Sequence, residues 1–390
     1  MFFESLGYII LAVLILLLMI MIHEAGHYAA GKLLKFKINE FSIGFGPKIL
    51  QKRLKNGELF SLRAVPLGGY CAFAGEGETF TEAQTKAGAD GEIFADAPAP
   101  ANKTDSDGGE IFADAPANKT AAKAAEGGLF VEQKPWKRLI VFFAGAGFNL
   151  ISAVVFSFIF ILVVGYASPS VDAVFTDAGG SPYCSLISGD EIIAVNGKKI
   201  GVTRSFEELT DKVKEGETVS LTVIRAGKEI AIDITKKPVT DAEGNGYVGF
   251  GIMTARGYKK AGFGQALASS VPFTAKMSWT ILGVFGKLIT GQIPLNNLSG
   301  PVGTVTQIAD LSHQNWRNIL ILLPLIASNL AVFNLLPFPA LDGSKMVFTA
   351  VEWARGKPVN RKIENMIHFV GIIAILGLVV TIDLISLFTR

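Results

Sequence analysis

Long apolar segments constrain the fold of this chain more than any other feature of its sequence. Residues 6–34, 139–164 and 318–336 are each long enough to cross the roughly 30 Å hydrocarbon core of a bilayer as a helix, and residues 367–388 form a fourth such segment. Half of the 390 residues are hydrophobic and only 18% are charged, a balance that is unusual for a soluble globular protein. The sequence therefore predicts a polytopic α-helical membrane protein with four transmembrane helices.

Two segments affect this count of spans. The N-terminus "MFFESLGY" has no basic region, and no small-residue cleavage site follows it, so the first apolar run is expected to remain as a helix and not to be removed as a signal peptide. Residues 263–291 are also apolar, but Pro272, Lys276 and Lys287 interrupt them. This pattern favours an amphipathic helix that lies in the membrane interface.

The basic residues predict the orientation of the spans. They concentrate at residues 32–53, 134–138 and 345–362, next to the ends of the apolar segments. Loops rich in lysine and arginine stay on the cytoplasmic side of a membrane. These regions are therefore expected to be cytoplasmic, and both termini are expected on the opposite, outer side.

Charge and cysteine content exclude other classes of protein. The formal net charge is +2 and there is no arginine-rich arm, so nucleic acid is not expected as a partner. Cys71 and Cys184 are too few and too far apart for a disulfide framework or a CxxC metal site. Both are expected to be plain thiols.

Two polar regions separate the spans. Residues 75–128 are rich in Ala, Gly, Asp and Thr, and "GEIFADAPA" occurs twice, from Gly91 and from Gly109. This composition predicts a disordered cytoplasmic insert, and the alternative is a docking motif repeated for a cytoplasmic partner. Residues 169–237 show two hairpin patterns and a helix, in "SFEELTDKVKEG", that begins after a serine cap and ends at the glycine at residue 216. This α+β pattern resembles a PDZ domain of bacterial periplasmic proteases.

The sequence "HEAGH" places ionisable side chains near the end of the first span. On a helix, His23 and His27 lie one turn apart on one face, so both imidazoles can bind one zinc ion at about 2.0–2.1 Å. Glu24 is rotated by about 100° from His23, which places it beside the metal, where a general base belongs. Ionisable groups in a span are costly and are rarely kept without a function. The alternative is a hydrogen-bonded cluster between helices, with neutral histidines and a protonated glutamate.

Such a zinc site needs a third protein ligand. Asp342, in "NLLPFPALDG" at the end of the third span, is the strongest candidate, because the two prolines before it open the backbone, which at membrane depth must be buried or line a cavity. The predicted topology also puts Asp342 in the same leaflet as the histidines. Glu40 and His368 are competitors, and His313 is expected on the other side of the membrane. A hydrated turn just outside the bilayer is the alternative for Asp342.

Together these motifs resemble the site-2 protease family, in particular its RseP-type bacterial members with a PDZ domain between the second and third spans. "HEAGH" matches the family's HExxH, and "NLLPFPALDG" matches its NxxPxPxLDG. "IGFGP" from Ile43 and "PLGGY" from Pro66 match its membrane-associated β segment, and "LSGPVG" from Leu298 matches its run before the third span. In the second span "GAGFN" has Ala146 where the family often has proline, so Asn149 is expected to act in helix packing.

The resemblance implies roles for single residues. Zn2+ would be held by the two histidines and Asp342, with Glu24 as base and proton shuttle. Asn334 matches the family's asparagine that positions the substrate or stabilises an oxyanion. The segment around Gly44, Phe45 and Gly46 would pair with an unwound substrate backbone as an added strand.

The resemblance further implies a zinc metalloendopeptidase of the bacterial inner membrane. Its active site would lie toward the cytoplasm and would cut transmembrane protein or peptide substrates in or near their spans, for example anti-sigma factors or signal-peptide remnants. The alternative is an inactive scaffold that binds membrane segments through the PDZ-like domain, although a complete set of ligands and base argues against it. A metal transporter would need more ionisable residues along a path, and the fourth span has only Asp383.

The predicted regions are, in chain order, the first transmembrane helix with HExxH (1–35), the membrane-associated β segment (36–74), the insert (75–128), the second transmembrane helix (129–166), the periplasmic PDZ-like domain (167–238), a periplasmic linker with the interfacial helix (239–315), the third transmembrane helix with the LDG motif (316–345), and a cytoplasmic loop with the fourth transmembrane helix (346–390).

Overall fold

The computed structural model of the protein describes residues 2–76, 130–177, 179–241, 245–293 and 300–389. The predicted insert therefore lies almost entirely outside the described residues. The chain divides into two compact units. The first unit consists of residues 1–19, 146–335 and 370–390, and the second unit consists of residues 20–145 and 336–369.

The helices are α1 (Phe2–Leu33), α2 (Pro135–Val163), α3 (Phe206–Thr210), α4 (Phe263–Ile289), α5 (Pro301–Gln314), α6 (Arg317–Leu335), α7 (Asp342–Arg355) and α8 (Arg361–Thr389), and a 3-10 turn covers Phe130–Glu132. The strands are β1 (Ile38–Arg53), β2 (Leu59–Phe73), β3 (Tyr166–Val174), β4 (Glu191–Val195), β5 (Lys198–Lys199), β6 (Thr218–Arg225), β7 (Lys228–Thr235), β8 (Lys237–Thr240), β9 (Gly246–Gly249) and β10 (Ile252–Lys259).

Four of the described helices are long and apolar enough to cross a membrane, as the sequence predicts. The candidate spans are Leu6–Leu33, Pro135–Val163, Arg317–Leu335 and Lys362–Leu384, within a few residues of the predicted segments. Large apolar side chains on these helices are exposed, which a bilayer tolerates and water does not. The orientation of the spans and the interfacial position of α4 stay predictions.

The first unit contains an antiparallel sheet in the order β10-β3-β4-β6-β7, with β5 paired to β4. Its core combines apolar residues of these strands with residues outside them such as Phe206 of α3, and Ile192, Leu221 and Val223 are completely buried. Both predicted hairpins are present. The first turns at Asn196, which adopts a positive φ of 49° that asparagine tolerates better than most residues.

Two details of this region differ from the prediction. Ser205 does cap a helix, and Glu208 completes a capping box, but α3 ends at Thr210 and does not continue to the glycine at residue 216. In addition, β10 pairs with β3, so the sheet extends beyond the predicted boundary at residue 238. The long-range pairing of β10 leaves no local signal in the sequence. The assignment of this region as a PDZ domain stays a prediction.

One ion pair joins the last residue of β6 to the residue just before β4. The Arg225 guanidinium binds both carboxylate oxygens of the fully buried Asp190, at 2.8 Å from Nε and 2.7 Å from Nη2, and the Ile187 N–H donates to the same carboxylate at 2.9 Å. The hydrogen bonds from Arg225 hold the pKa of Asp190 below its ordinary value.

The second unit is built around the pairing of β1 with β2. Residues 38–43 of β1 pair with residues 69–73 of β2 on one side and with residues 59–62 on the other, while residues 48–53 pair with residues 59–63. The early part of β1 is therefore an inner segment, and residues 69–73 form an edge to which no other strand pairs among the described residues. Gly44 and Gly46, with φ of 84° and 79°, form the bend that reverses β1.

The two glycine motifs of this sheet fit each other. A Cβ on Gly68 would collide with the Phe45 ring, and a Cβ on Gly69 would lie 2.8 Å from the Ser42 carbonyl oxygen. Arg63 holds the bend by donating to the Gly46 carbonyl oxygen at 3.0 Å. "IGFGP" and "PLGGY" are thus two halves of one close backbone contact.

Candidate metal centre

The prolines after α6 shape the segment that carries Asp342. As the sequence predicts, α6 ends at Leu335, and residues 336–341 are not helical before α7 begins at Asp342. Asp342 is the first residue of α7, so the break delivers its carboxylate at the start of a new helix.

Three metal-binding side chains of the second unit converge. Asp342 Oδ2 lies 2.9 Å from His23 Nε2 and 3.1 Å from His27 Nε2, and the two Nε2 atoms are 3.2 Å apart. Among the described residues these are the members of the group that could hold a metal ion. Both histidines are buried, with 8% of each residue exposed.

The hydrogen bonds of His27 define the chemistry of this group. Its Nδ1–H donates to the Val141 carbonyl oxygen at 2.8 Å, and this bond fixes the tautomer in which Nε2 is an acceptor. The Nε2 lone pair then faces a carboxylate oxygen of Asp342 and a second imidazole nitrogen. Lone pairs this close repel unless a ring hydrogen of His23 or a cation lies among them.

The size of the donor triangle suits zinc. Tetrahedral zinc with bonds of about 2.0–2.1 Å separates neighbouring donor atoms by about 3.3 Å. The measured separations of 2.9, 3.1 and 3.2 Å are close to this value. Two imidazole nitrogens and one carboxylate oxygen are a donor set that zinc accepts, and three protein ligands leave a fourth position open, as catalytic zinc sites require.

Two glycines allow the helices to approach at this site. A Cβ on Gly26 of α1 would lie 2.8 Å from the carbonyl carbon of Ala144. A Cβ on Gly145 of α2 would lie 2.7 Å from His23 Cε1 and would collide with His27 Nε2. The sequence suggests close packing at Gly145, but its contact with the two histidines becomes evident only from the structure.

Glu24 lies on α1 next to both the donors and the sheet. It interacts electrostatically with His23, His27, Asp342 and Lys345. Its Cγ would be 3.4 Å from a Cβ placed on Gly69, so the free edge of β2 passes beside this carboxylate.

Two ion pairs anchor α7. Lys345 Nζ binds Glu76 Oε1 at 3.0 Å, and the charge of Glu76 raises the pKa of Lys345, so this side chain stays protonated. Arg138 of α2 binds Glu352 at 2.8 Å, with 6% and 5% of the two side chains exposed. Both pairs hold the helix that begins with Asp342.

The competing ligands have other partners. Glu40 Oε1 binds Arg63 Nη2 at 3.0 Å, and although burial alone would raise its pKa, hydrogen bonds from Ser61, Tyr70 and Arg63 hold that pKa below its ordinary value. His368 Nδ1 accepts a hydrogen bond from the Ala340 N–H. Neither belongs to the donor group, and His313 lies in the first unit.

The predicted substrate-binding residues belong to both units. Asn334 is in α6 of the first unit, so its role stays a prediction. Gly44, Phe45 and Gly46 form the bend of β1, and Ile43 just before them already has strand partners on both sides. Their role in pairing with a substrate strand stays a prediction. The free edge beside Glu24 is residues 69–73.

One helix carries HExxH, and an aspartate from a second segment completes the group of donor atoms. In a chain with four candidate spans, these features define a membrane metallopeptidase. The sequence profile of peptidase family M50 matches residues 11–378. The chain therefore belongs to peptidase family M50.

Named relatives cover nearly the whole chain. The chain is similar to the regulator of sigma-W protease RasP of Bacillus subtilis, with 28% identity over 406 residues, which cover 93% of this chain and 94% of the relative. It is also similar to the zinc metalloprotease RasP of Geobacillus kaustophilus, with 27% identity and 97% of each chain covered.

Proposed function

We propose that this chain is an intramembrane zinc metalloprotease that hydrolyses peptide bonds in or near the transmembrane segments of its substrates. The observation that carries the proposal is the convergence of His23, His27 and Asp342 within 3.2 Å, beside Glu24. The two histidines and Glu24 lie on α1, a helix apolar enough to span a membrane. Family membership and relatives named as zinc metalloproteases support the same chemistry.

The residues divide the chemistry among them. His23, His27 and Asp342 would hold zinc, which would supply Lewis-acid polarisation of the attacking water and the scissile carbonyl. Glu24 accepts a proton from that water and returns it to the leaving amine. The Val141 carbonyl keeps His27 in the tautomer that presents Nε2 to the metal.

The substrate backbone must be extended to be cut, because a helix hides its peptide bonds. The edge of β2 at Gly69–Phe73 runs beside Glu24, and among the described residues no strand pairs with the outer side of this edge. An unwound substrate segment adds to this edge as another strand, which brings its carbonyl groups toward the base.

The orientation of the chain in the membrane is inferred from its basic loops. Both termini and the sheet of the first unit lie on the periplasmic side of the bacterial inner membrane, and the metal centre lies toward the cytoplasm. One relative is named as a regulator of sigma-W, which supports membrane-anchored anti-sigma factors as substrates of this chain too. The PDZ-like region selects substrates whose periplasmic part has already been shortened.

The test is cleavage of membrane-anchored reporter segments by the purified full-length chain in lipid vesicles, with zinc measured on each sample. Glu24→Gln should keep zinc and lose cleavage by at least 100-fold, since general acid–base catalysis contributes about 10²–10⁴ in rate. Glu58→Gln, a change at another buried glutamate of the second unit, is the matched control and should cleave. Cleavage by Glu24→Gln at the wild-type rate would refute the mechanism.

A further inference from the structure

Ala340 adopts a conformation that alanine avoids. Its φ is 75°, in the left-handed region, and it lies two residues before Asp342. A Cβ in this region crowds the following carbonyl oxygen, which is why glycine usually occupies such positions. Something outside Ala340 must therefore hold the segment in this shape.

The Ala340 N–H donates to His368 Nδ1 at 3.0 Å, across 28 residues of sequence. The backbone hydrogen bonds described for the neighbouring residues are local: the Leu341 N–H donates to the Phe338 carbonyl oxygen at 3.1 Å, and the Ser344 N–H donates to the Leu341 carbonyl oxygen at 3.1 Å. Local bonds fix the turn but do not fix its position. The His368 bond ties the turn to the start of α8.

His368 also packs on the helix that Asp342 begins. Its ring centroid is 5.7 Å from that of Phe348 in α7. Because Nδ1 accepts the hydrogen bond from Ala340, Nε2 carries the hydrogen, and this atom is buried without a hydrogen-bond partner among the described residues. A buried N–H left unpaired is costly, so a ring kept in this orientation indicates that the Nδ1 bond matters.

We propose that His368 is a positioning residue for the metal ligand Asp342. By accepting the Ala340 N–H it holds the left-handed residue in place, and the rigid turn of two residues then sets the direction of the Asp342 carboxylate. His368 touches neither metal nor substrate. The proposal rests on the assignment of Asp342 as a zinc ligand, and it replaces the role of His368 as a competing ligand.

The experiment separates the acceptor from the ring. His368→Phe keeps an aromatic ring but has no acceptor, whereas His368→Asn places an amide oxygen at the position of Nδ1. Zinc affinity of the purified full-length chain is measured by competition with a chromophoric chelator, and reporter cleavage is measured in parallel. Phe369→Ala, at an exposed neighbour on α8, is the control.

His368→Phe should weaken zinc binding by about tenfold, the lower end of the effect of residues that orient metal ligands. His368→Asn should stay within about threefold of wild type. The double variant Ala340→Gly with His368→Phe should recover most of the lost affinity, since glycine adopts the left-handed conformation without strain and needs the bond less. Ala340→Gly alone is the reference for this cycle.

Three results would overturn the proposal: equal affinities of the Phe and Asn variants, a loss of affinity in Phe369→Ala as large as in His368→Phe, or no recovery in the double variant. If His368→Phe fails to fold, His368→Asn still tests the proposal, because zinc binding by His368→Asn that is clearly weaker than wild type would overturn it. Absence of zinc binding by the wild-type chain would instead refute the proposed function, so the two failures are distinguishable.

Discussion

Alanine at Gly145 would insert a methyl group into the metal centre. The new Cβ would lie 2.7 Å from His23 Cε1 and nearer still to His27 Nε2, whereas carbon atoms in unstrained contact are about 3.5–4.0 Å apart. The contact can be relieved only if the imidazoles or the helix backbone move by about 1 Å. Both ligands on α1 would then leave their places around the zinc ion.

The size of the effect follows from this displacement. A misplacement of about 1 Å at a catalytic group can lower the rate by about 100-fold. This corresponds to about 2.7 kcal/mol of transition-state stabilisation. Helix propensity acts in the opposite direction, since alanine is about 1 kcal/mol more favourable than glycine inside a helix. We therefore expect Gly145→Ala to lose cleavage and zinc binding. The higher helix propensity of alanine does not lower the melting temperature of the variant.

The assay compares Gly145→Ala with Gly377→Ala. Gly377 also lies in a candidate span, but a Cβ there would meet open space, so this variant should cleave and bind zinc like wild type. Cleavage of a reporter segment, zinc content and thermal unfolding are measured for both. Cleavage by Gly145→Ala within about threefold of wild type, with full zinc content, would refute the packing argument, because a displacement of this size should cost far more.

Four other outcomes are expected. Arg138→Met should lower the free energy of unfolding by about 3 kcal/mol, because the buried Glu352 carboxylate would lose its ion pair with Arg138, and adding Glu352→Leu should restore most of it in denaturant titrations. Because the pKa of Asp190 is held below its ordinary value, its ion pair stabilises the fold above about pH 4, and this contribution is lost as the pH falls. The difference in melting temperature between wild type and Asp190→Asn should therefore shrink toward pH 3. A constant difference would contradict this. Gly44→Ala should weaken resistance to proteolysis more than Gly57→Ala, since both residues have positive φ but only at Gly44 would the Cβ meet a carbonyl oxygen, at 2.8 Å. Removal of metal by a chelator should abolish cleavage and added zinc should restore it; unchanged cleavage in metal-free protein would contradict a zinc mechanism.

Predictions that depend on neighbouring residues agree well with the structure. The four candidate spans lie where the apolar segments predict them, because hydropathy adds up over consecutive residues. The hairpin at Asn196 forms where the Asn-Gly pair stands, because the turn conformation is a property of those two residues. The end of α6 follows from Pro337 and Pro339 in the same way.

Features that depend on distant residues were less predictable. The helix after Ser205 has its predicted cap but ends early at Thr210, because the cap is local and the length of a helix is decided by what it packs against. The bend at Gly44–Gly46 and the pairing of Ile43 with strand segments on both sides depend on contacts along β1 and β2 that no short stretch of the sequence indicates. No pattern in the sequence indicated which segments of β1 and β2 form the outer edges of the sheet.

By itself the sequence determined the membrane class, the number of candidate spans, and the identities of the residues offered as ligands and base. These follow from hydropathy and from spacing along one helix, which are local properties. Only the tertiary structure decided that Asp342 Oδ2 lies within 3.1 Å of both histidine nitrogens, that Gly145 leaves room for them, and that the free strand edge beside Glu24 is Gly69–Phe73. These depend on contacts between segments up to 319 residues apart, and the energy of such contacts belongs to the packed chain and not to any short stretch of it.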